Sequence, residues 1–212
     1  MPERKLLLYV DAQFASPYAM SAFVSLSEKA LPFEIKTVDL SAGENHRPGF
    51  ARTSVTRRVP TLVHEQFTLS ESSAISEYVE EVFAEAGGRL YPADPPQRAR
   101  VRQVQAWLRS DLLPIRLERP TEVMFYGARY PKLSAQAEAA VEKLYAAADL
   151  LIPRNSEYLC EEWSIADVDL ALMLNRLLIH GDLMPERIAA YARIQWSRPS
   201  VQLWVNQVRP PL

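Results

Sequence analysis

Apolar positions come in short runs over the first seventy residues and then settle into helical spacing. Leu6 to Val10 is a continuous apolar run, which predicts a strand covered on both faces. Asp11 to Pro17 breaks that pattern. Met20, Phe23, Val24 and Leu26 then predict a helix over 18–30, with Pro17 at its first position. Leu31-Pro32 stops the helix, and Phe33 to Val38 alternates like a second strand. The polar stretch from Asp39 to Thr56, with Gly43, Pro48 and Gly49, reads as an irregular loop with a short helix. Two further runs rich in Val, Leu, Thr and Phe, 58–64 and 67–70, are separated only by Glu65-Gln66. That is hairpin spacing, although Glu-Gln is not the usual turn pair. Ile75, Tyr78, Val79, Val82 and Phe83 predict the next helix. Ser72 or Ser73 is placed to cap it, and Glu71 stands just outside its first turn.

No strand-like alternation follows. Gly87-Gly88, Pro92 and Pro95-Pro96 mark a boundary, which predicts a first domain over 1–84, a linker over 85–96 and a helical domain over 97–212. Val101, Val104, Leu108 and Leu112 predict a long helix from Gln97, with Pro114 within or just beyond it. Further helices are expected over 134–151, 165–180, 185–196 and 199–208. Ser164 and Asp167 have the spacing of a capping box, and Trp163 and Val168 that of a hydrophobic staple across it. The helix they start is nearly all apolar from Leu170 to Ile179, so it is expected to be the central, buried one, ended by Gly181.

Composition narrows the class. The 212 residues carry 24 Lys plus Arg against 26 Asp plus Glu, a formal net charge of -2, which argues against nucleic acid or an acidic membrane surface as the main partner. Cys160 is the only cysteine, so no internal disulfide is possible and a reducing compartment is expected. The apolar run near the N-terminus is too short for a signal-peptide core. No apolar stretch approaches the ~18 residues of a membrane span, so a soluble, cytoplasmic protein is expected. His46, His64 and His180 have neither metal-ligand spacing nor triad spacing, no metal is expected, and no phosphate loop or dinucleotide fingerprint is present.

The candidate chemistry lies around the hairpin. A helix start offers unpaired N–H groups and partial positive charge, so it holds a carboxylate, while Glu71 would hold an ammonium group. An amino-acid head satisfies both. Pro60 lacks an N–H and belongs at a strand's edge or entrance, which leaves the peptide groups of Val59 to pair with a ligand like an added strand. Taken singly, these residues read as a hairpin and a capped helix. Together, Val59-Pro60, the short hairpin and Glu71-Ser72 resemble the soluble glutathione transferase family. The Ser164-Ile165-Ala166-Asp167 cap and Arg198-Pro199-Ser200-Val201 with Trp204 fit that family too, so the resemblance spans essentially the whole chain.

The resemblance implies an α/β plus all-α fold: an N-terminal thioredoxin-like βαβ-ββα domain followed by an all-helical domain. It implies glutathione as co-substrate, a cis Pro60, Val59 paired with the cysteinyl backbone, and Glu71-Ser72 gripping the γ-glutamyl end. The turn Ala15-Ser16-Pro17-Tyr18 resembles the Ser-Pro-Phe turn of serine-type, tau-like transferases, which makes Ser16 the thiol-activating residue; alone, a Ser before Pro reads as a helix cap. Arg58 stands where that branch often has a basic residue and would meet the glycyl carboxylate. The family's electrophile pocket lies between the domains, with Phe14, Arg109, Arg116, Arg119 and Tyr126 as candidate lining; any one arginine read alone is a solvated face. Two departures from the branch stand out. Ser21 and Ala22 occupy the region where an Arg is common, and no cysteine lies in the turn, which argues against a cysteine-type reductase. Cys160 reads as a packed thiol.

The expected activity is conjugation of the glutathione thiolate to electrophilic small molecules, with reduction of organic hydroperoxides as a second activity, in a homodimer. A non-catalytic ligand-binding or protein-interaction module of the same fold is the cross-class alternative, and a glutathione-dependent isomerase or dehalogenase a third. A free thiol ionises near ~8.5, and a drop of about two units costs ~2.7 kcal/mol. One hydroxyl hydrogen bond to a charged group, ~1.5–3 kcal/mol, plus ~0.3–1 from a helix end, is of that order.

Overall fold

The apolar runs become four strands: β1 (Leu6–Asp11), β2 (Phe33–Val38), β3 (Thr61–His64) and β4 (Phe67–Ser70). In the computed structural model, which describes residues 5–212, they form one sheet in the order β2-β1-β3-β4. Helix α1 (Pro17–Glu28) carries the chain back along the sheet, so β2 pairs parallel to β1. The other two pairings are antiparallel. Between β3 and β4 the Glu65-Gln66 turn is made with Glu65 at φ 57, the left-handed region that Asn or Gly would enter more easily.

Leu6, Leu8 and Val10 are buried, whereas Leu7 and Tyr9 on the opposite face of β1 are only half-buried. The expected cover on both faces is therefore uneven. Beneath Tyr9 lies α2 (Pro48–Thr53), a helix of six residues whose Phe50 meets the Tyr9 ring edge-on at 5.4 Å. The other layer holds α1 and α3 (Ser72–Val82), and small residues let them approach: Ser25 Oγ lies 2.8 Å from Ser76 Oγ. Helix α1 stops at Glu28, two residues before its predicted end, because Ala30 turns to φ 50 and the Leu31 N–H returns to the Leu26 carbonyl. Lys29 is fully buried there and pairs with Glu80 at 2.7 Å. Glu80 also accepts from the Leu90 N–H at 3.0 Å. Gly87, at φ 53, crosses so close that a Cβ would stand 2.4 Å from the Glu28 carbonyl oxygen, so no other residue fits.

The described residues divide into two compact units: those up to Leu90 together with Leu203–Leu212, and Tyr91–Gln202. The second contains α4 (Pro95–Ser110), α5 (Leu113–Glu118), α6 (Glu122–Tyr126), α7 (Ala135–Leu151), α8 (Ile165–Leu178) and α9 (Glu186–Trp196); α10 (Pro199–Val205) follows. No strand occurs among its described residues. Helix α4 starts two residues earlier than its apolar spacing indicates, because Asp94 accepts from the Gln97 N–H at 3.1 Å. It ends at Ser110, where Asp111 is extended and Leu112 takes φ 61, and Pro114 lies in the first turn of α5.

Helix α8 is the buried centre: every residue from Ile165 to Leu177 is buried. Its capping box is present, with Asp167 accepting from the Ser164 N–H at 2.8 Å and from Ser164 Oγ at 3.0 Å. Asp167 takes two more donors, the Leu159 N–H and the Tyr191 hydroxyl, each at 2.8 Å. Burial nevertheless holds its carboxyl above the usual carboxylate range. The helix gives way at Gly181, φ 96, after His180 has already left it.

Candidate active site

Register decides which loops share an end of the sheet. Tyr9 pairs with Thr61, and Thr61 pairs with Ser70, so these three residues form one row across β1, β3 and β4. β1 runs into the row's far side as β3 leaves it and β4 arrives. The turn after β1, the peptide before Thr61 and the residues after Ser70 therefore open from the same end. With strands ~4.8 Å apart, the outer two of these points are separated by about two spacings. The Val59-Pro60 bond is cis, as the family resemblance implies.

Asp11 shapes the first of these loops. Its buried carboxylate accepts from the Ala15 N–H at 2.7 Å and the Ser16 N–H at 3.0 Å, and the Phe14 N–H bonds to the Asp11 carbonyl at 3.1 Å. Phe14 is thereby bent to φ 48. Ser16 is the N-cap of α1, its Oγ accepting from the Ala19 N–H at 3.2 Å, and Pro17 is the first helical residue. A hydroxyl used as acceptor keeps its own hydrogen to donate. Half-buried Ser16 thus presents a donor at the positive end of a twelve-residue helix.

Before β3, the Arg58 carbonyl lies 2.8 Å from Thr61 Oγ1 and 3.2 Å from Ser54 Oγ, which ties down this loop. The Arg58 side chain is exposed, Val59 is half-buried and Pro60 is buried. Among the described residues the Val59 N–H and carbonyl take part in no hydrogen bond. After β4 the structure corrects one expectation. Neither Ser72 nor Ser73 caps α3; Glu71 is the N-cap, without a side-chain bond to the helix, and Ser72 is the first helical residue. The helix begins directly out of Ser70, so the whole change of direction falls on Glu71, at φ 74 and ψ 114. Its carboxylate is exposed, while Ser72 is buried beside it.

The remaining candidates lie in the helical unit, and each arginine is already engaged. Arg109 pairs with buried Asp169 at 3.2 Å and bonds the Gln105 carbonyl. Arg116 donates to the carbonyls of Leu108 and Asp111. Arg119, fully buried, forks onto both oxygens of Asp182 at 2.7 and 2.8 Å. Tyr126 ends the short helix α6. Cys160 is buried, and desolvation with the nearby Asp167 charge pushes its thiol up to about 11. Among the described residues no group of His, Cys, Asp or Glu has the arrangement of a metal site, and no helix is long and apolar enough to cross a membrane.

Sequence spacing gave no notice of two residues at this end. In sequence Asp11 reads only as the first residue of the break after the first strand; its position four and five residues before Ala15 and Ser16 is the one local sign. Arg209, near the far end of the chain, donates to the Phe14 carbonyl through Nε at 3.3 Å and Nη2 at 3.2 Å. Nothing local announces a contact across 195 positions.

A mixed sheet of this order with a cis-proline before its third strand, followed by an all-helical unit, defines a thioredoxin-like domain joined to a helical one. Residues 15–82 match the N-terminal domain of glutathione S-transferases and residues 94–208 match their C-terminal domain. The chain belongs to the glutathione S-transferase family. It is 47% identical to a glutathione transferase homolog from Burkholderia crystallised with bound glutathione, over 96% of this chain and 98% of that one, with a TM-score of 0.80. Mouse (Mus musculus) glutathione S-transferase theta-3 is 27% identical over 209 residues, 96% of this chain and 81% of that protein. Protein LigF of Sphingobium is 39% identical over 90 residues, which are 42% of this chain and 35% of LigF.

Proposed function

We propose that the protein binds glutathione along the Val59 peptide, stabilises its thiolate with the Ser16 hydroxyl, and transfers it to an electrophilic small molecule. The observation that carries this reading is the common end shared by a spare hydroxyl hydrogen, an unpaired peptide and a carboxylate beside a helix start. Two strand spacings are about 9.6 Å, and the roughly eight bonds from the γ-glutamyl nitrogen to the cysteinyl sulfur, at about 1.2 Å of extended chain each, reach about the same distance, so glutathione suits the span from Glu71 to Ser16. Its ammonium meets Glu71, its α-carboxylate the Ser72 end of α3, its cysteinyl amide Val59, and its glycyl carboxylate Arg58. The relative from Burkholderia, solved with glutathione, supports the same ligand.

Catalysis then needs no proton on or off Ser16. The thiol loses its proton to solvent, the hydroxyl donates to the sulfur, the sulfur–carbon bond forms, and the leaving group departs with its electron pair. With a hydroperoxide the thiolate attacks the terminal oxygen instead: the O–O bond breaks, and the alkoxide leaves and takes a proton to become the alcohol. A second glutathione thiol then displaces water from the resulting sulfenic acid to give the disulfide. The expected lining by Phe14, Arg109, Arg116 and Tyr126 belongs to this reading. Since Arg109 and Arg116 already have internal partners, they do not argue for an anionic co-substrate. A homodimer and a cytoplasmic location complete the proposal.

The likeness to LigF, named a beta-etherase in its crystal structure, favours one second reading: an ether carbon as electrophile, with the ether oxygen leaving. Turnover assays with an aryl halide, cumene hydroperoxide and a β-aryl ether separate these activities. Conversion of any of the three, lost in Ser16→Ala, supports the transferase reading. Retention on immobilised glutathione without turnover of any would replace it with a binding module.

A further inference from the structure

The loop that carries Ser16 is held from two directions. From within the sheet, the Asp11 carboxylate fixes the N–H groups of Ala15 and Ser16. From the C-terminal segment, Arg209 fixes the carbonyl of Phe14, the residue immediately before them. The same guanidinium donates to the carbonyls of Trp204, Val205 and Gln207, at 2.9, 2.7 and 3.0 Å. It thereby gathers the last turn of α10 and the tail behind it onto one peptide of the loop. Aromatic contacts reinforce the union: Trp204, fully buried, meets the Phe14 ring at 5.6 Å and the Phe23 ring at 5.3 Å.

Phe14 is where this matters. At φ 48 it sits in a region that costs a side-chain-bearing residue energy, so the loop does not keep this shape by itself. If Phe14 relaxed to negative φ, the following peptides would rotate and carry the Ser16 hydroxyl off its line. Charge-assisted bonds from a rigid fork are about twice as strong as neutral ones and fix direction as well as distance.

We propose that Arg209 is a positioning residue for the reaction, holding the Phe14 peptide so that the Ser16 hydroxyl points at the glutathione sulfur. The inference deepens the Ser16 reading and rests on it. It makes thiolate stabilisation depend on the last residues of the chain, far from the sulfur in sequence.

The test is the titration of bound glutathione, followed by thiolate absorbance, in the full-length protein. Arg209→Met keeps the unbranched stem of the side chain and removes its donors. It is expected to raise the bound thiol by about one unit, a tenfold lower thiolate-to-thiol ratio. kcat is expected to fall about tenfold at neutral pH, with glutathione KM changed less than about twofold, because Glu71 and Val59 are untouched. Arg209→Lys, with one donor head, restores part of the effect. Gln207→Ala, which removes a side-chain bond to the Leu203 carbonyl within the tail, leaves both quantities as they were. In the double variant with Ser16→Ala, Arg209→Met adds nothing further.

If Ser16→Ala raises the bound thiol and Arg209→Met does not, the inference is overturned and the transferase reading stands. An Arg209→Met effect that adds in full to that of Ser16→Ala overturns it as well. Should Ser16→Ala leave the thiol where it was, the Ser16 reading falls and the inference with it. A variant that loses melting temperature but keeps the wild-type titration per folded molecule assigns Arg209 a structural role only, which also overturns the proposal.

Discussion

Helices α1 and α8 both start from a serine N-cap, and they use it in opposite ways. At α8 the Ser164 hydroxyl and N–H both go to Asp167, which also takes the Leu159 N–H and the Tyr191 hydroxyl, and the whole arrangement is out of water. At α1 the Ser16 hydroxyl accepts one helix N–H, remains half-exposed, and keeps its hydrogen. The carboxylate near each start repeats the contrast. Asp167 closes its own cap, whereas Asp11 stands back from the helix and bonds the two peptides that lead into it. A cap whose capacity is spent fixes a fold; one with a donor to spare can serve a ligand. Two starts that share only their serine thereby differ in what they leave free to bond.

The largest effect should come from the closed start. Asp167→Ala strands four donors in a buried site, and at ~1–3 kcal/mol each, partly relieved by water, about 3–5 kcal/mol of stability is lost. Thermal unfolding would register a drop of roughly 10 °C, at about 2–4 °C per kcal/mol for a chain of this size. The pH dependence has a definite sign. Because burial raises the folded carboxyl above its unfolded value, its contribution is complete below the unfolded value and shrinks as pH rises through the folded one. Denaturation of Asp167→Asn against wild type should therefore show the larger deficit near pH 4 and a smaller one near pH 7. A deficit that grows with pH would contradict the burial account.

At the open start the expected loss is in rate. Removing a hydroxyl bond to a thiolate costs ~1.5–3 kcal/mol, so Ser16→Ala should lower kcat/KM about ten- to a hundredfold. Its melting temperature should fall only by the ~1 kcal/mol of one cap. Ser164→Ala should do the reverse, losing stability with turnover per folded molecule intact. Equal effects of the two substitutions on kcat would erase the distinction.

Glu71 sharpens the comparison from the ligand's other end. Glycine accepts φ 74 without strain, so Glu71→Gly should leave stability unchanged or raise it by up to ~1 kcal/mol, while glutathione binding by calorimetry weakens about tenfold. Retained affinity would move the ammonium away from Glu71. The smallest effect concerns Cys160. With its thiol pushed up to about 11 and buried, alkylation of the native protein at pH 7.5 should be far slower than that of free cysteine.

Periodicity revealed the strands, the hairpin and the central helix, because each has a run of apolar residues that must face a layer. It revealed Ser16 as a cap and the Ser164–Asp167 box, since caps are local. What it missed was decided by single peptides. Leu112 ended α4 early by a left-handed turn that no residue type advertises, and Glu71 displaced the expected serine cap because β4 runs straight into α3. The cis bond at Pro60 came from family likeness, not from spacing. Asp11 and Arg209 act across the loop and across the chain. Arg109, Arg116 and Arg119 looked like a solvated or ligand-facing set; Asp169 and Asp182, which engage Arg109 and Arg119, are some sixty positions away, while Arg116 turns back onto the nearby Leu108 and Asp111 carbonyls.

The account turns on the Ser16 hydroxyl meeting a thiolate, and titrating glutathione bound to wild type and to Ser16→Ala tests that directly. A bound thiol ionising well below the free value of ~8.5, and returning toward it by about one unit or more in Ser16→Ala, is the predicted result. Identical titrations for the two proteins, with glutathione still bound, would contradict it.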